Sequence, residues 1–163
     1  MKPIPEELVE ETWQEVAGFN VDRGHKEMGR ASKSQPDLVA FIMEFTQDLD
    51  QEVKELATYM TFVVYRMFQR SSRKKIKKIS AQEIIECYEA NEDLMERLEG
   101  VHEKFLDRIA RVQLSGQPYV LRYVVETLIE APEEEDPIAL SEEDIGFLFL
   151  LLKTVVDVLD KTK

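Results

Sequence analysis

Cysteine and histidine are scarce in this sequence, with one cysteine and two histidines among 163 residues. Structural zinc sites use four cysteine or histidine ligands, and a lone thiol has no partner for an intramolecular disulfide. A zinc fold, a disulfide framework and a bound cofactor are therefore not expected. Cys87 falls among apolar positions of a predicted helix and is expected to be buried and unreactive, which fits a cytoplasmic location.

Glycine and proline are also few, at six each, and long stretches lack both. Sheets of many strands need turn residues at short intervals, so this composition favours an all-α fold. Long apolar runs are missing as well. The most apolar segment, 145–159, contains Lys153 and Asp157 and is shorter than the roughly 20 apolar residues of a membrane-spanning helix. The first residues turn acidic at Glu6 and Glu7, unlike a signal peptide, so neither export nor a membrane segment is expected.

The residue patterns that carry catalysis are absent too. Gly24 and Gly29 are isolated, so there is no glycine-rich phosphate loop. The serines fall at predicted caps and turns, and Cys87 has no predicted histidine neighbour to activate it. A non-enzymatic protein is therefore the leading interpretation.

Charge is abundant but unevenly distributed. The net charge is −12, yet the basic segment, residues 66–78, has seven basic residues and no acidic one, which leaves −19 on the remaining 150 residues. Such an acidic chain repels nucleic acid and anionic membranes at long range, so only a local contact is expected. The candidate partner-contacting residues in this segment are Arg73, Lys74, Lys75, Lys77 and Lys78.

Three interpretations of the basic segment remain open. It is a solvated surface, a contact for an unidentified protein partner, or a contact for nucleic acid, which is disfavoured because residues 70–78 include no aromatic side chain to stack on a base. A further version of the protein-partner interpretation is that the basic segment pairs with the acidic residues 133–136, within the chain or across a homodimer.

Apolar residues recur at spacings of three and four along most of the chain. This pattern predicts a single domain, residues 1–163, built as a bundle of five to six helices. Residues 21–34 contain two glycines and no regular period and are predicted to be a connection. Ser80 with Glu83, and Ser141 with Asp144, have the spacing of helix N-terminal capping boxes, the second with aspartate in place of the usual glutamate. The predicted helices are 5–20, 35–49, 50 to about 69, 80–113, 117–131 and 142–160.

Two of the predicted helices have distinctive apolar patterns. Residues 80–113 repeat their apolar positions at alternating steps of four and three, the spacing of a coiled coil. The last helix, 142–160, is apolar on nearly all sides, so it is either the central helix of the core or is partly covered by a second subunit. Either helix is a candidate homodimer contact.

The hairpins at about 35–69 and 117–160 resemble each other. Gln-Pro opens both, at residues 35–36 and 117–118, and Glu44 aligns with Glu126 among paired apolar positions. We interpret this as an internal duplication, although amphipathic helices in general share apolar spacing. If the hairpins are related, Glu44 and Glu126 present equivalent surfaces and are further candidate partner-contacting residues.

One pair of residues has metal-ligand spacing. Glu99 and His102 stand three residues apart, as in the Glu-x-x-His pairs of di-iron helical bundles. Such sites need this pair twice, and His25 has no acidic residue three positions before it. His102 is therefore interpreted first as a histidine of the helix core, and a carboxylate and histidine metal site is the alternative.

The function favoured by the sequence is a non-enzymatic protein-protein interaction or regulatory module. The alternatives are the metal-binding bundle centred on Glu99 and His102 and a nucleic-acid-associated protein that uses the basic segment. The sequence does not identify the partner.

Overall fold

The computed structural model describes residues 2–98, 116–131 and 138–162. These residues form seven helices and no strand, which confirms the all-α prediction. The prediction of five to six helices is wrong, because residues 21–34 form an additional helix. The helices are α1 (Glu6–Ala17), α2 (Val21–Ser34), α3 (Pro36–Phe45), α4 (Gln51–Ser71), α5 (Ala81–Leu98), α6 (Pro118–Glu130) and α7 (Glu142–Asp160).

Helix α2 forms despite its two glycines. The Asn20 side chain caps its first turn, accepting a hydrogen bond from the Arg23 backbone N–H at 2.8 Å. None of its residues is fully buried, and it lies on α3 and α4 through partly buried side chains that include Met28 and Ala31. A helix on the surface needs no wide apolar stripe, which explains why periodicity did not identify it.

Both predicted capping boxes are present. At the start of α5, the Ser80 hydroxyl accepts from the Glu83 N–H at 3.2 Å, while the Glu83 carboxylate accepts from the Ser80 N–H at 2.9 Å. Ser141 and Asp144 make the same reciprocal pair at the start of α7. Helix α5 is described as far as residue 98, and the predicted continuation of the long helix to 113 lies outside the described residues.

Helices α4 and α7 pack against each other at the centre of the bundle. Helices α1 and α3 pack on α4, α5 and α6 pack on α7, and the pairs α1 with α6 and α3 with α5 also touch. In α7, eleven of the 19 residues are buried within this one chain. The apolar character of α7 is thus explained by a central position in the core. None of the helices in the described ranges is both long and apolar enough to span a membrane.

Two buried glutamines, Gln35 and Gln117, begin helices α3 and α6. Each is about 1% exposed, and their backbone angles are nearly the same, with φ of −133° and −129° and ψ of 63° and 67°. The Gln35 side chain accepts from the Ile79 N–H at 3.0 Å and donates to the Lys77 carbonyl at 2.9 Å. In an extended chain these two backbone groups point to the same side, so the amide of Gln35 pairs with the chain as a neighbouring strand would.

Gln117 makes the corresponding contact at the other end of the sequence. Its side-chain oxygen accepts from the Ile4 N–H at 2.8 Å, and its side-chain nitrogen donates to Asp160 Oδ1 at 2.8 Å. Ile4 and Ile79 are both about 1% exposed, and each directly precedes the residue before a helix, α1 and α5 respectively. Each glutamine therefore fixes the approach to a helix that is distant in sequence.

Candidate functional site

Residues 72–80 form the connector between α4 and α5, and most of the predicted partner-contacting residues lie on it. Gln35 holds its backbone, while the Ile79 side chain is buried and Ile76 packs on the core. The five cationic side chains of the connector are all exposed: Arg73, Lys74, Lys75, Lys77 and Lys78. The connector backbone is therefore fixed on the side that faces the core, while its charged side chains face solvent.

Most of these cations lack an anionic partner. Lys77 Nζ lies 3.6 Å from Glu83 Oε1, whereas Arg73, Lys74, Lys75 and Lys78 make no ion pair with any residue that the structure describes. The connector therefore presents an uncompensated positive charge on an acidic protein, as a surface for an anionic group requires.

The other two cations of the basic segment have a structural role. Arg66 and Arg70 lie on α4 and point to α1, where Arg66 Nε is 2.7 Å from Glu15 Oε1 and Arg70 lies 3.4 Å from Glu11 Oε2. The hydrogen bond from Arg66 lowers the pKa of Glu15 below its ordinary value. The pairing fixes α1 against α4, so only residues 73–78 of the segment are available to a partner.

Glu44 and Glu126 are not part of this surface. Both are exposed, on α3 and α6, and no hydrogen bond or ion pair in the described parts of the chain joins either to the connector. Glu126 lies 3.9 Å from Arg122 on its own helix. Their role as partner-contacting residues stays a prediction.

The predicted metal ligands Glu99 and His102 lie outside the described residues, as do the acidic residues 133–136. Within residues 2–98, 116–131 and 138–162, no group of three or more His, Cys, Asp or Glu side chains is arranged to hold a metal ion. The metal site stays an untested alternative.

A cleft of about 540 Å³ between α5 and α7 was not predicted. Its charged lining has four carboxylates and two ammonium groups, from Glu83, Glu86, Asp157, Asp160, Lys77 and Lys161. The volume lies within the range of ligand-binding clefts, which is roughly 300–1,000 Å³. Glu83 is paired with Lys77 and Asp157 with the buried Lys153, which leaves Glu86 and Asp160 as the lining carboxylates without an ion pair in the described part of the chain, so the cleft favours a cationic ligand.

A polar network lies where α5 meets α7 beside this cleft. The side chain of Lys153 is 8% exposed, and its Nζ donates to Asp157 Oδ2 at 2.6 Å and to Asn91 Oδ1 at 2.7 Å. Asn91 Nδ2 donates in turn to Asp157 Oδ2 at 3.1 Å and to Thr154 Oγ1 at 3.2 Å. Because each member bonds to another, the buried ammonium group has the partners that burial of a charge requires.

The sequence held a weak signal for this network. Lys153 and Asp157 stand four residues apart in a helix that is otherwise almost wholly apolar, and Asn91 interrupts the apolar positions of the predicted long helix. A polar residue at a core position needs a hydrogen-bonding partner. The sequence did not show that the partners would be each other.

No family model, curated protein or solved structure matches this chain. Function is therefore inferred from the side chains themselves.

Cys87 lines the cleft but is poorly placed for reaction. It is 6% exposed, with its Sγ 3.7 Å from Asn91 Nδ2. Burial, and next the negative charge of Asp157, raise the pKa of the thiol. We expect iodoacetamide at pH 8 to alkylate the folded protein at least about tenfold more slowly than the protein in urea, because a raised pKa reduces the thiolate fraction. Equal rates by mass spectrometry would contradict this placement of Cys87.

Proposed function

We propose that the protein is a non-enzymatic, helical protein-protein interaction module whose α4–α5 connector binds an acidic segment of a partner. The observation that carries the proposal is the connector itself. Four exposed cations have no ion pair in the described part of the chain, and the connector backbone is held by Gln35 at residues 77 and 79 and by the Ser72 hydroxyl at Lys74.

Preorganisation supports a binding role for the connector. A segment whose backbone is already fixed loses less conformational entropy on binding than a free loop does. Each exposed pairing with a carboxylate contributes only about 0.2–1 kcal/mol, so four such pairings together give modest affinity with strong dependence on salt. These properties suit a regulated, reversible contact.

A protein partner fits better than nucleic acid. The chain outside the basic segment carries −19, which repels a long polyanion, whereas a short acidic peptide segment needs to approach only the connector. Residues 73–78 also offer no aromatic side chain for a base.

The internal duplication forms part of the proposal, and we extend it beyond the two hairpins. The N-terminal half consists of Ile4, α1, α3 and α4, and the C-terminal half of Ile79, α5, α6 and α7. Corresponding helices make corresponding contacts, with α1 on α4 as α5 is on α7, and α1 on α6 as α5 is on α3. This arrangement supports a two-fold relation between the halves about the α4–α7 contact.

Matched burial also supports the duplication. When α1 is aligned with α5 at an offset of 75 residues, the buried positions coincide, pairing Ile4 with Ile79, Val9 with Ile84, Thr12 with Cys87 and Val16 with Asn91. The glutamine of each half binds the isoleucine of the other, since Gln35 accepts from Ile79 and Gln117 accepts from Ile4. Two unrelated hairpins have no reason to share such reciprocal contacts.

The experiment that tests the binding surface is a paired capture. The protein and its R73Q/K74Q/K75Q/K78Q variant, which removes the four cations that make no ion pair with a described residue, are immobilised, exposed to nuclease-treated lysate of the source cells, and compared by quantitative mass spectrometry. The control variant K2Q/K26Q/R30Q/K33Q also removes four positive charges, at exposed positions outside the connector. We expect a stoichiometric protein that the wild type and the control retain, and that the connector variant binds at least about tenfold more weakly.

Other outcomes would overturn the proposal. Equal retention by the connector variant and the control excludes the connector as the binding surface. Material that disappears with nuclease assigns the surface to nucleic acid instead. A homodimer that both variants disrupt equally at low salt, seen by light scattering, excludes a site-specific role for the connector.

A further inference from the structure

The contact between α1 and α4 contains a guanidinium site made by the chain itself. Arg70 extends from α4 across the groove to α1, where its Nη2 lies 3.4 Å from Glu11 Oε2 and its Nη1 donates to Thr12 Oγ1 at 3.1 Å. The arginine side chain thus fills the groove between these two helices. Its guanidinium group is matched by a carboxylate and a hydroxyl.

The corresponding groove between α5 and α7 retains the carboxylate and lacks the arginine. At the offset of 75 residues between α1 and α5, Glu11 and Thr12 correspond to Glu86 and Cys87. At the offset of 92 residues between α4 and α7, Arg70 corresponds to Thr162. The short threonine side chain does not reach across the groove, and the cleft of about 540 Å³ lies at this position, lined by Glu86, Cys87 and Thr162 among others.

We propose that this cleft takes the arginine side chain of a partner protein, with the guanidinium group against Glu86 in the place that Arg70 has against Glu11. The chain itself demonstrates that two helices packed in this way accommodate an arginine. Two of the four lining carboxylates have an ammonium partner, Asp157 with Lys153 and Glu83 with Lys77. Glu86 is exposed, accepts a hydrogen bond from Gln82 at 3.1 Å and makes no ion pair with a described residue, so it is available to a cation. The inference rests on the two-fold relation within the proposed function and not on the connector, so either can fail without the other.

The geometry of the Arg70 site favours arginine over lysine as the occupant of the cleft. Arg70 uses two different nitrogens for two different acceptors, one on Glu11 and one on Thr12. A planar guanidinium group presents such divergent donors in a fixed arrangement, whereas an ammonium group is a point charge. In the cleft Glu86 supplies the carboxylate, but Cys87 stands in place of Thr12, so the second acceptor for a guanidinium group would come from another polar group of the lining.

The test uses N-acetyl-arginine N-methylamide as the probe, titrated into the isotopically labelled full chain and followed by amide chemical shifts. The control probe is the citrulline analogue, which has the same shape without the charge. We expect saturable shifts at the amides of Glu86, Ala90 and Lys161, with a Kd on the order of 1 mM for a ligand of this size, and none with citrulline.

Three variants make the test specific. Glu86→Gln is expected to weaken binding at least about fivefold, because a charge-assisted hydrogen bond is lost. Glu89→Gln, an exposed position on the same helix outside the cleft lining, is the matched control and should bind as the wild type does. Thr162→Arg should fill the cleft from within and abolish binding while the spectrum of the folded protein is retained.

The proposal is overturned if the probe leaves the cleft amides unshifted, or if Glu86→Gln and Glu89→Gln bind the probe equally. A dimer of the wild type in sedimentation experiments that both Arg73→Gln and Glu86→Gln abolish would also overturn the proposal. The occupant of the cleft would then be Arg73 of a second copy of this chain. The connector variant R73Q/K74Q/K75Q/K78Q leaves Lys77 of the cleft lining in place. It should bind the probe within about twofold of wild type when long-range attraction is screened by salt, which separates this inference from the proposed connector surface.

Discussion

Alanine in place of Gln35 is expected to lower the free energy of unfolding by about 2–4 kcal/mol, measured by urea denaturation. The substitution removes two hydrogen bonds and leaves the buried N–H of Ile79 without a partner. An unsatisfied buried group costs about 1–3 kcal/mol, more than the hydrogen bond itself contributes. Gln14→Ala, at an exposed position of α1, should change stability by less than about 0.5 kcal/mol.

Hydrogen exchange distinguishes this contact from a general loss of stability. Gln35→Ala should accelerate exchange of the Ile79 amide more than that of the Ile4 amide, and Gln117→Ala should do the reverse. If both substitutions accelerate both amides equally, the two contacts do not act locally. Protection of Ile79 that is unchanged in Gln35→Ala would show that the bond is not made in solution.

The helices that could be predicted from the sequence are those whose apolar faces enter the core. Helices α3, α4 and α6 have buried residues at helical spacing, and α7 is preceded by Ser141, whose capping role is visible in the sequence. Helix α2 was missed for a physical reason. It has few apolar residues and buries none completely, so the spacing of Met28 and Ala31 is a weak signal. Gly24 and Gly29 also lower its intrinsic helix propensity by about 1 kcal/mol each relative to alanine.

The two binding surfaces differ in how far the sequence predicts them. The five cations of the connector fall within six residues, so composition alone locates the segment. Only the structure shows that Gln35 fixes it and that Arg66 and Arg70 are paired elsewhere. The cleft combines residues 77–91 with residues 157–162. Their proximity depends on how α5 packs on α7, which apolar periodicity does not specify.

Alanine in place of Asp157 is expected to destabilise the protein by about 2–4 kcal/mol, because it leaves the Lys153 ammonium group buried without a counter-charge. Asn91 Oδ1, at 2.7 Å from Nζ, remains as a neutral partner and limits the loss. Asp93→Ala, at an exposed position of α5, is the matched control and should change stability by less than about 0.5 kcal/mol. Urea denaturation at pH 7 measures both.

The effects of removing the two partners should be unequal. Lys153→Met leaves a carboxylate whose side chain is 24% exposed and can therefore be hydrated, so the expected cost is only about 1–2 kcal/mol. The double variant Lys153→Met/Asp157→Ala no longer has a buried unpaired charge and should be more stable than Asp157→Ala alone. The expected source of instability in Asp157→Ala is the unpaired ammonium group, which the double variant removes. If the losses of the two single variants instead add up in the double variant, the two groups do not interact.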